Sequence, residues 1–278
     1  MLRKMLLGAG AAMMCATSTM PAFAVTDGVL DGNEHPYVKL LLMEVSGKPA
    51  FRCSGTLLSP TVFLTAGHCA GAPGEFSGMR VFIESDVQAG IGTSNNYPNA
   101  GPNAVEAVEW HAHPLYDPNA FALHDVGVVI LQAPGVVLSE YGTLPTENLL
   151  DMLAKIRGKQ DVTFTAVGYG LQASFPDAAS WKIEASRTRY MATPRLIQIN
   201  TPGFTGDFSL LLSNNHATGG TCFGDSGGPN FIGSGKSETT IVAGVTSFGI
   251  NGNCAGTGGV FRVDRKNVLD FINAYLQP

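Results

Sequence analysis

Charge is scarce in this chain: 14% of its 278 residues are Asp, Glu, Lys or Arg, and acids outnumber bases 22 to 17. A net charge of −5 leaves no basic face for a nucleic acid, and 45% hydrophobic residues exclude a disordered chain. Beyond residue 24 no apolar run reaches the roughly 18 residues that a membrane span needs. No two cysteines have C-x-x-C spacing, which argues against a zinc site. There are two tryptophans, and Trp110 and Trp181 read as packing residues rather than ligand platforms. Internal repeats and low-complexity tracts are absent. Glycine is abundant, at 34, beside 16 prolines. So many turn formers exclude a helical bundle and predict short strands between tight turns.

The first two dozen residues stand apart. Arg3 and Lys4 precede an apolar stretch from Met5 to Met14, and Ala22-Phe23-Ala24 offers small residues at a cleavage position. A basic start, a short apolar middle and an A-x-A end describe a secretory signal peptide, bacterial in style. A buried helix fits less well, and Ala12-Met13-Met14 is a poor lead-in for a lipid anchor on Cys15. Cleavage after Ala24 makes the mature protein more acidic, because only basic charges leave. It also removes Cys15 and keeps Cys53, Cys69, Cys222 and Cys254. In an exported chain these predict disulfides, each adding roughly 3 kcal/mol. Spacing alone leaves all three pairings open.

The mature chain reads as strands over Tyr37–Val45, Phe51–Leu58, Met79–Glu84, Val126–Leu131, Val162–Val167, Leu196–Ile199, Thr239–Ser247 and Gly259–Val263. That pattern predicts an all-β barrel or sandwich. Thr146–Arg157 has helix formers behind a Thr. Asp264–Leu276 is a stronger helix: Asp264 is placed to cap it, and Val268, Leu269, Ile272 and Leu276 share a face. Gly90–Asn103 reads as an exposed loop, and Ala133–Pro145 as a connector between two halves. Arg187 and Arg189 alternate as solvent-facing strand residues would. His111 and His113 form an H-x-H without a third ligand, an ordinary surface pair. No cofactor and no metal are assigned.

Three segments carry reactive side chains. Gly224-Asp225-Ser226-Gly227-Gly228-Pro229 sets a serine among glycines, which allow close approach to a substrate and leave N–H groups to face it. Thr65-Ala66-Gly67-His68-Cys69 ends an apolar strand with a histidine. His124-Asp125 stands at the mouth of a β-branched run. A serine needs a base to remove its proton, and the base needs a carboxylate to fix its tautomer. Ser226, His68 and Asp125 are therefore candidates for nucleophile, base and orienter. The run Gly224–Gly228 also fits the G-x-S-x-G nucleophile elbow. That arrangement requires the order Ser, acid, His and a helix after the serine. Here the order is His68, Asp125, Ser226, and Gly227-Gly228-Pro229 cannot start a helix.

TAGHC, HDVGVVIL and GDSGGP resemble the three signature blocks of the trypsin/chymotrypsin-like serine peptidases, and the resemblance runs from Val25 to the C-terminal helix. It implies two six-stranded antiparallel β-barrels with the site between them: residues 25–138 carrying His68 and Asp125, and residues 139–278 carrying Ser226 and the terminal helix. It implies the pairings Cys53–Cys69 and Cys222–Cys254. By the same resemblance the N–H groups of Gly224 and Ser226 form the oxyanion hole, worth roughly 3–4 kcal/mol per donor. Ser247-Phe248-Gly249 pairs with an extended substrate. Gly220 and Thr221 lie at the base of the specificity pocket, with Gly249 and Gly259 along its walls. No carboxylate stands where a trypsin-like pocket keeps one, so an apolar or aromatic residue is expected before the scissile bond, not Arg or Lys.

Val25-Thr26-Asp27-Gly28 resembles the family's mature N-terminus, whose freed ammonium pairs with the acid before the catalytic serine, here Asp225. Export itself would then create the active end. Pairing raises the α-amino pKa above its free value near 7.7–8.0. The pair's contribution is full below that value and is lost as pH rises through the folded one. The expectation is a secreted, monomeric serine endopeptidase acting on proteins or peptides, with proteinaceous inhibitors as further partners. The alternative is a catalytically silent homologue used for binding or adhesion. A third reading keeps the chemistry but restricts it to esters or one processing site.

Overall fold

The computed structural model describes residues 25–158, 161–172 and 186–277. The signal-peptide reading of residues 1–24 and the packing role of Trp181 lie outside them. Among the described residues no helix is long and apolar enough to cross a membrane.

A short strand, β1 (Val29–Leu30), precedes six strands that close into a barrel: β2 (Val38–Val45), β3 (Lys48–Leu57), β4 (Val62–Thr65), β5 (Gly78–Phe82), β6 (Ala104–Ala112) and β7 (Gly127–Leu131). Their order round the barrel is β2-β3-β4-β7-β6-β5, antiparallel throughout, and the β2–β5 ladder completes the circle. β2 is buried from Val38 to Met43 on both faces, because it also touches the second half of the molecule through β8 (Phe164–Gly168). Trp110 in β6 packs against the core, as a packing residue should.

The second half contains β8, β9 (Tyr190–Ala192), β10 (Leu196–Thr201), β11 (Gly206–Asn214), β12 (Pro229–Ile232), β13 (Val242–Gly249) and β14 (Gly256–Arg262). β9 pairs with β8 and β10 with β11, with Thr193, Pro194 and Arg195 between them. A bridge between Thr163 and Arg195 joins the start of β8 to this same segment. β9 and β10 therefore act as one bent strand, and the curled sheet closes through that bridge rather than through a continuous ladder. Pro194, which has no N–H, sits at the bend.

The ends of the chain cross over. β1 pairs with β9 of the second half. The helix α3 (Lys266–Leu276) packs against β4 and β7 of the first barrel, burying Val268, Leu269 and Ile272. Periodicity predicts this helix, but its start differs from expectation. Arg265 is the N-cap and makes no side-chain cap. Asp264 instead accepts the Leu150 N–H at 2.8 Å and pairs with Arg262 at 2.8 Å. The other helical reading, Thr146–Arg157, forms as a 3₁₀ helix over Leu149–Lys155. Gly90–Asn103 is mostly exposed but pinned, because Asn95 is buried and donates to the Val87 carbonyl.

In two further pairs one member departs from its sequence reading. Arg187 bonds Gln88 at the surface, whereas Arg189 is buried. Its guanidinium holds Asp31 at 2.7 Å and donates to the Val38 carbonyl and Asn33. A buried guanidinium needs such partners. His111 and His113 are packed under α3: His111 stacks on Tyr275, and His113, buried, meets the edge of Phe271.

Candidate active site

β4 ends at Thr65, β7 begins at Gly127, and these two residues are antiparallel partners. That pairing brings together the segments just outside it: the single turn α1 (Gly67–Ala70), which carries His68, and Asp125. A Cβ on Gly127 would lie 2.7 Å from Ala70 Cβ and 2.8 Å from the Ala66 carbonyl, so glycine is required there. The approach to β7 is a tight turn, with His124 at φ +53° and the Val126 N–H donating to its carbonyl. Asp125 is fully buried. Its Oδ1 accepts the His68 backbone N–H at 2.8 Å, and its Oδ2 lies 2.9 Å from His68 Nδ1. With Nδ1–H held by the carboxylate, Nε2 is the nitrogen left to take a proton. Burial alone would lower the His68 pKa, but the charge and hydrogen bond of Asp125 outweigh it and raise it above 6.5.

The Ser226 loop is wedged between the halves. Ser54 of β3 donates its N–H to the Ser226 carbonyl at 2.8 Å and its hydroxyl to the Gly224 carbonyl at 2.9 Å. From the other side the Gly227 N–H reaches the Thr246 carbonyl of β13 at 2.8 Å. Gly227, at φ +76°, has no room for a side chain: a Cβ would lie 2.0 Å from Thr65 Oγ1. Among the described residues the N–H groups of Gly224 and Ser226 donate to no acceptor. Ser226 and His68 line one cavity of about 420 Å³. No hydrogen bond joins Ser226 Oγ to His68 there, and in ligand-free sites this contact commonly tightens only with substrate.

The same cavity is lined by Thr221, Cys222, Phe223, Ser247, Phe248, Gly249 and Asn251, with no charged side chain. Two of the expected pocket residues face elsewhere. Gly220 packs on Asn214, whose side chain occupies the space of a Cβ, so Thr221 alone of that pair reaches the cavity. Gly259 is the cross-strand partner of Phe248 and lies under its ring, at 2.3 Å from a would-be Cβ. Its neighbour Gly258, paired with Gly249, points at the Thr221 hydroxyl at 3.1 Å. Gly258 and Gly259 differ in this way because successive strand residues face opposite sides.

Val25 and Asp225 are not in contact. Val25 is buried against Tyr190 and Ala192, while Thr26 bridges Gly220. Asp225 is fully buried and accepts the N–H groups of Gly170 at 2.7 Å and Cys222 at 2.9 Å. Burial pushes its pKa up to about 7, against the pull of those donors and of the Arg52 charge. Both disulfides form as expected, Cys53–Cys69 tying β3 to α1 and Cys222–Cys254 closing the cavity rim. Cys53, His68 and Cys69 are close enough together for a metal, but the bridged sulfurs offer no thiolate.

The model of the family described as Trypsin matches residues 30–272. The chain belongs to the trypsin family. This trypsin-family chain is 23% identical over 220 residues to mast cell protease 2 of Ovis aries, covering 79% of this chain and 78% of that one. Its fold is similar to the solved structure of HL collagenase, with a TM-score of 0.67 at 20% identity, over 91% of this chain and 98% of the other. The chymotrypsin-like architecture and the peptidase family are thereby shown.

One contact in this trypsin-family site has no counterpart in the sequence reading. The Ser247 hydroxyl donates to Asp125 Oδ2 at 2.5 Å. A serine in an apolar strand gives no signal of such a partner 122 residues away.

Proposed function

We propose that this chain is a secreted serine endopeptidase that cuts peptide bonds through an acyl-enzyme. The observation that carries the reading is the buried Asp125–His68 pair opening on the same cavity as Ser226. Ser226 Oγ attacks the scissile carbonyl while His68 Nε2 takes its proton. Asp125 holds Nδ1–H and stabilises the imidazolium that forms. The developing oxyanion accepts the N–H groups of Gly224 and Ser226. His68 then protonates the leaving amine, and water repeats the cycle on the acyl-enzyme. Ser247-Phe248-Gly249 pairs with the substrate backbone before the scissile bond. The uncharged lining around Thr221 and Asn251 suits an apolar or aromatic residue and not Arg or Lys.

Two disulfides suit an oxidising compartment. A mature start at Val25 would free an ammonium on the segment bridged to Gly220, and its insertion beside Asp225 would keep that carboxylate ionised. Enzyme extended ahead of Val25 is then inactive. A silent binding homologue has no use for two unengaged amides beside an ordered His–Asp pair. The intact mass of the secreted protein, with and without a fluorophosphonate, tests the reading. The expected result is a chain starting at Val25 that gains one adduct, absent in Ser226→Ala. A Val25 start without an adduct overturns it.

A further inference from the structure

Arg52 lies in β3 directly before Cys53. Its Nε is 3.3 Å from the place a Cβ of Gly224 would occupy. The guanidinium thus rests against the loop whose amides face the reacting carbonyl. The buried arginines Arg80, Arg189 and Arg262 are engaged: Arg80 with Glu44 and Glu106, Arg189 with Asp31, Arg262 with Asp264. Arg52 is half-buried, and among the described residues no carboxylate or carbonyl hydrogen-bonds to its guanidinium. Its charge is felt by Asp225. That carboxylate, however, is buried with both oxygens already holding N–H groups. A guanidinium that is partly dehydrated and lacks an acceptor favours a carboxylate from outside.

The position of Arg52 says which part of a substrate it meets. The cavity and Ser247–Gly249 lie to one side of Ser226 and receive the half before the scissile bond. Arg52 does not line that cavity. It touches Gly224 and directly precedes the bridged Cys53, so with the cavity given to the half before the bond, the departing half is the one left for it to meet. Phe51, 58% exposed, adds apolar surface next to it. We propose that Arg52 is a specificity residue that favours substrates with a carboxylate in the first two residues after the scissile bond. The proposal rests on the peptidase reading above. An acidic side chain and a free chain terminus both supply that group.

Matched peptides decide it. They share the residues before the bond and carry Asp or Asn at each of the next two positions, or end there as acid or amide. Rates are normalised to enzyme counted with a fluorophosphonate. Wild type should prefer the carboxylate member by roughly two- to fivefold in kcat/KM, the scale of one partly exposed charge contact. The preference should vanish in Arg52→Gln and invert in Arg52→Glu. The arm that shows it identifies side chain or terminus as the source. A wild-type ratio of one, or a ratio that survives Arg52→Gln, overturns the proposal. So does an equal slowing of all peptides in Arg52→Gln, which would make Arg52 a support for Asp225. If no peptide is cut and no adduct forms, the peptidase reading fails and this one with it, a result distinct from cleavage without preference.

Discussion

The two halves of the molecule are held by different forces. The first barrel closes through a full circle of paired strands and shares one continuous apolar core with the interface, from Leu40 and Phe63 to Phe231 and Phe261. The far side of the second half has a smaller cluster of its own around Phe164, Leu196 and Leu210, and closes through a single bridge. Buried charge reinforces it: Arg262 and Asp264 are both buried and paired at 2.8 Å. The Arg189–Asp31 pair does the same at the seam. The candidate site follows this division. Backbone pairing of β4 with β7 sets His68 beside Asp125, whereas Ser226 hangs on hydrogen bonds reaching from both halves. The lesson is that the proposed base and acid are placed by the packed half, and the proposed nucleophile by polar contacts that span the interface.

The sharpest way to break that comparison is at the acid. Asp125→Asn keeps the shape but offers His68 Nδ1 an amide that favours the wrong tautomer. Turnover should fall about 10⁴-fold, with unfolding in urea still a single cooperative transition. A loss below tenfold would mean that the packed half does not set the base. Next in size is the buried ion pair. Arg189→Met leaves Asp31 buried beside His35 without its guanidinium and should cost about 3–5 kcal/mol of stability. Arg80→Met leaves Glu44 and Glu106, 16% and 41% exposed and so within reach of water, and should cost less than Arg189→Met. Equal losses in urea unfolding would erase the distinction between the halves.

A smaller effect sits between the two halves. Ser247→Ala removes the hydroxyl that β13 extends to Asp125. A hydrogen bond to a carboxylate is worth about 1.5–3 kcal/mol, so turnover should drop by roughly ten- to a hundredfold while KM stays near its wild-type value. A change in KM alone would assign Ser247 to substrate binding through its backbone and nothing else.

What the sequence carries is local. TAGHC, the acid before VGVVIL and GDSGGP each fix a short backbone geometry, and the mostly-β architecture and the terminal helix are legible from the spacing of apolar residues, whereas the pairing of the cysteines comes only with the family resemblance. What it hides depends on partners far along the chain. Arg189 alternates like a surface residue, and only Asp31, 158 residues away, makes its burial stable. Asp264 looks like a cap, and Arg262 and Leu150 take it instead. The face of Gly259 is hidden for another reason. The β13–β14 register shifts between Thr246 and Phe248, and one extra residue in a ladder turns the neighbours to the opposite side.

The last contrast concerns protons at the seam between the halves. Burial opposes a charge on His35, but hydrogen bonds with Asp31 and Glu238 overcome it and raise its pKa to about 9. Its contribution is full below the ordinary 6.5 and is lost as pH rises through about 9. Lys39 behaves in the opposite sense. Burial, with the Arg189 charge nearby, lowers its pKa from 10.5 to about 7. The unfolded chain therefore binds the extra proton above pH 7, and folding gains from Lys39 as pH rises toward 10.5. Between about pH 7 and 9 the two slopes oppose each other, so wild-type stability should change little. Each variant then exposes the other group. Stability of His35→Gln should climb with pH across that window, and stability of Lys39→Met should fall. Urea unfolding at half-unit pH steps reads both slopes. Two flat variant curves would show that neither proton is held by the fold, and would leave the seam to apolar packing and the Arg189–Asp31 pair.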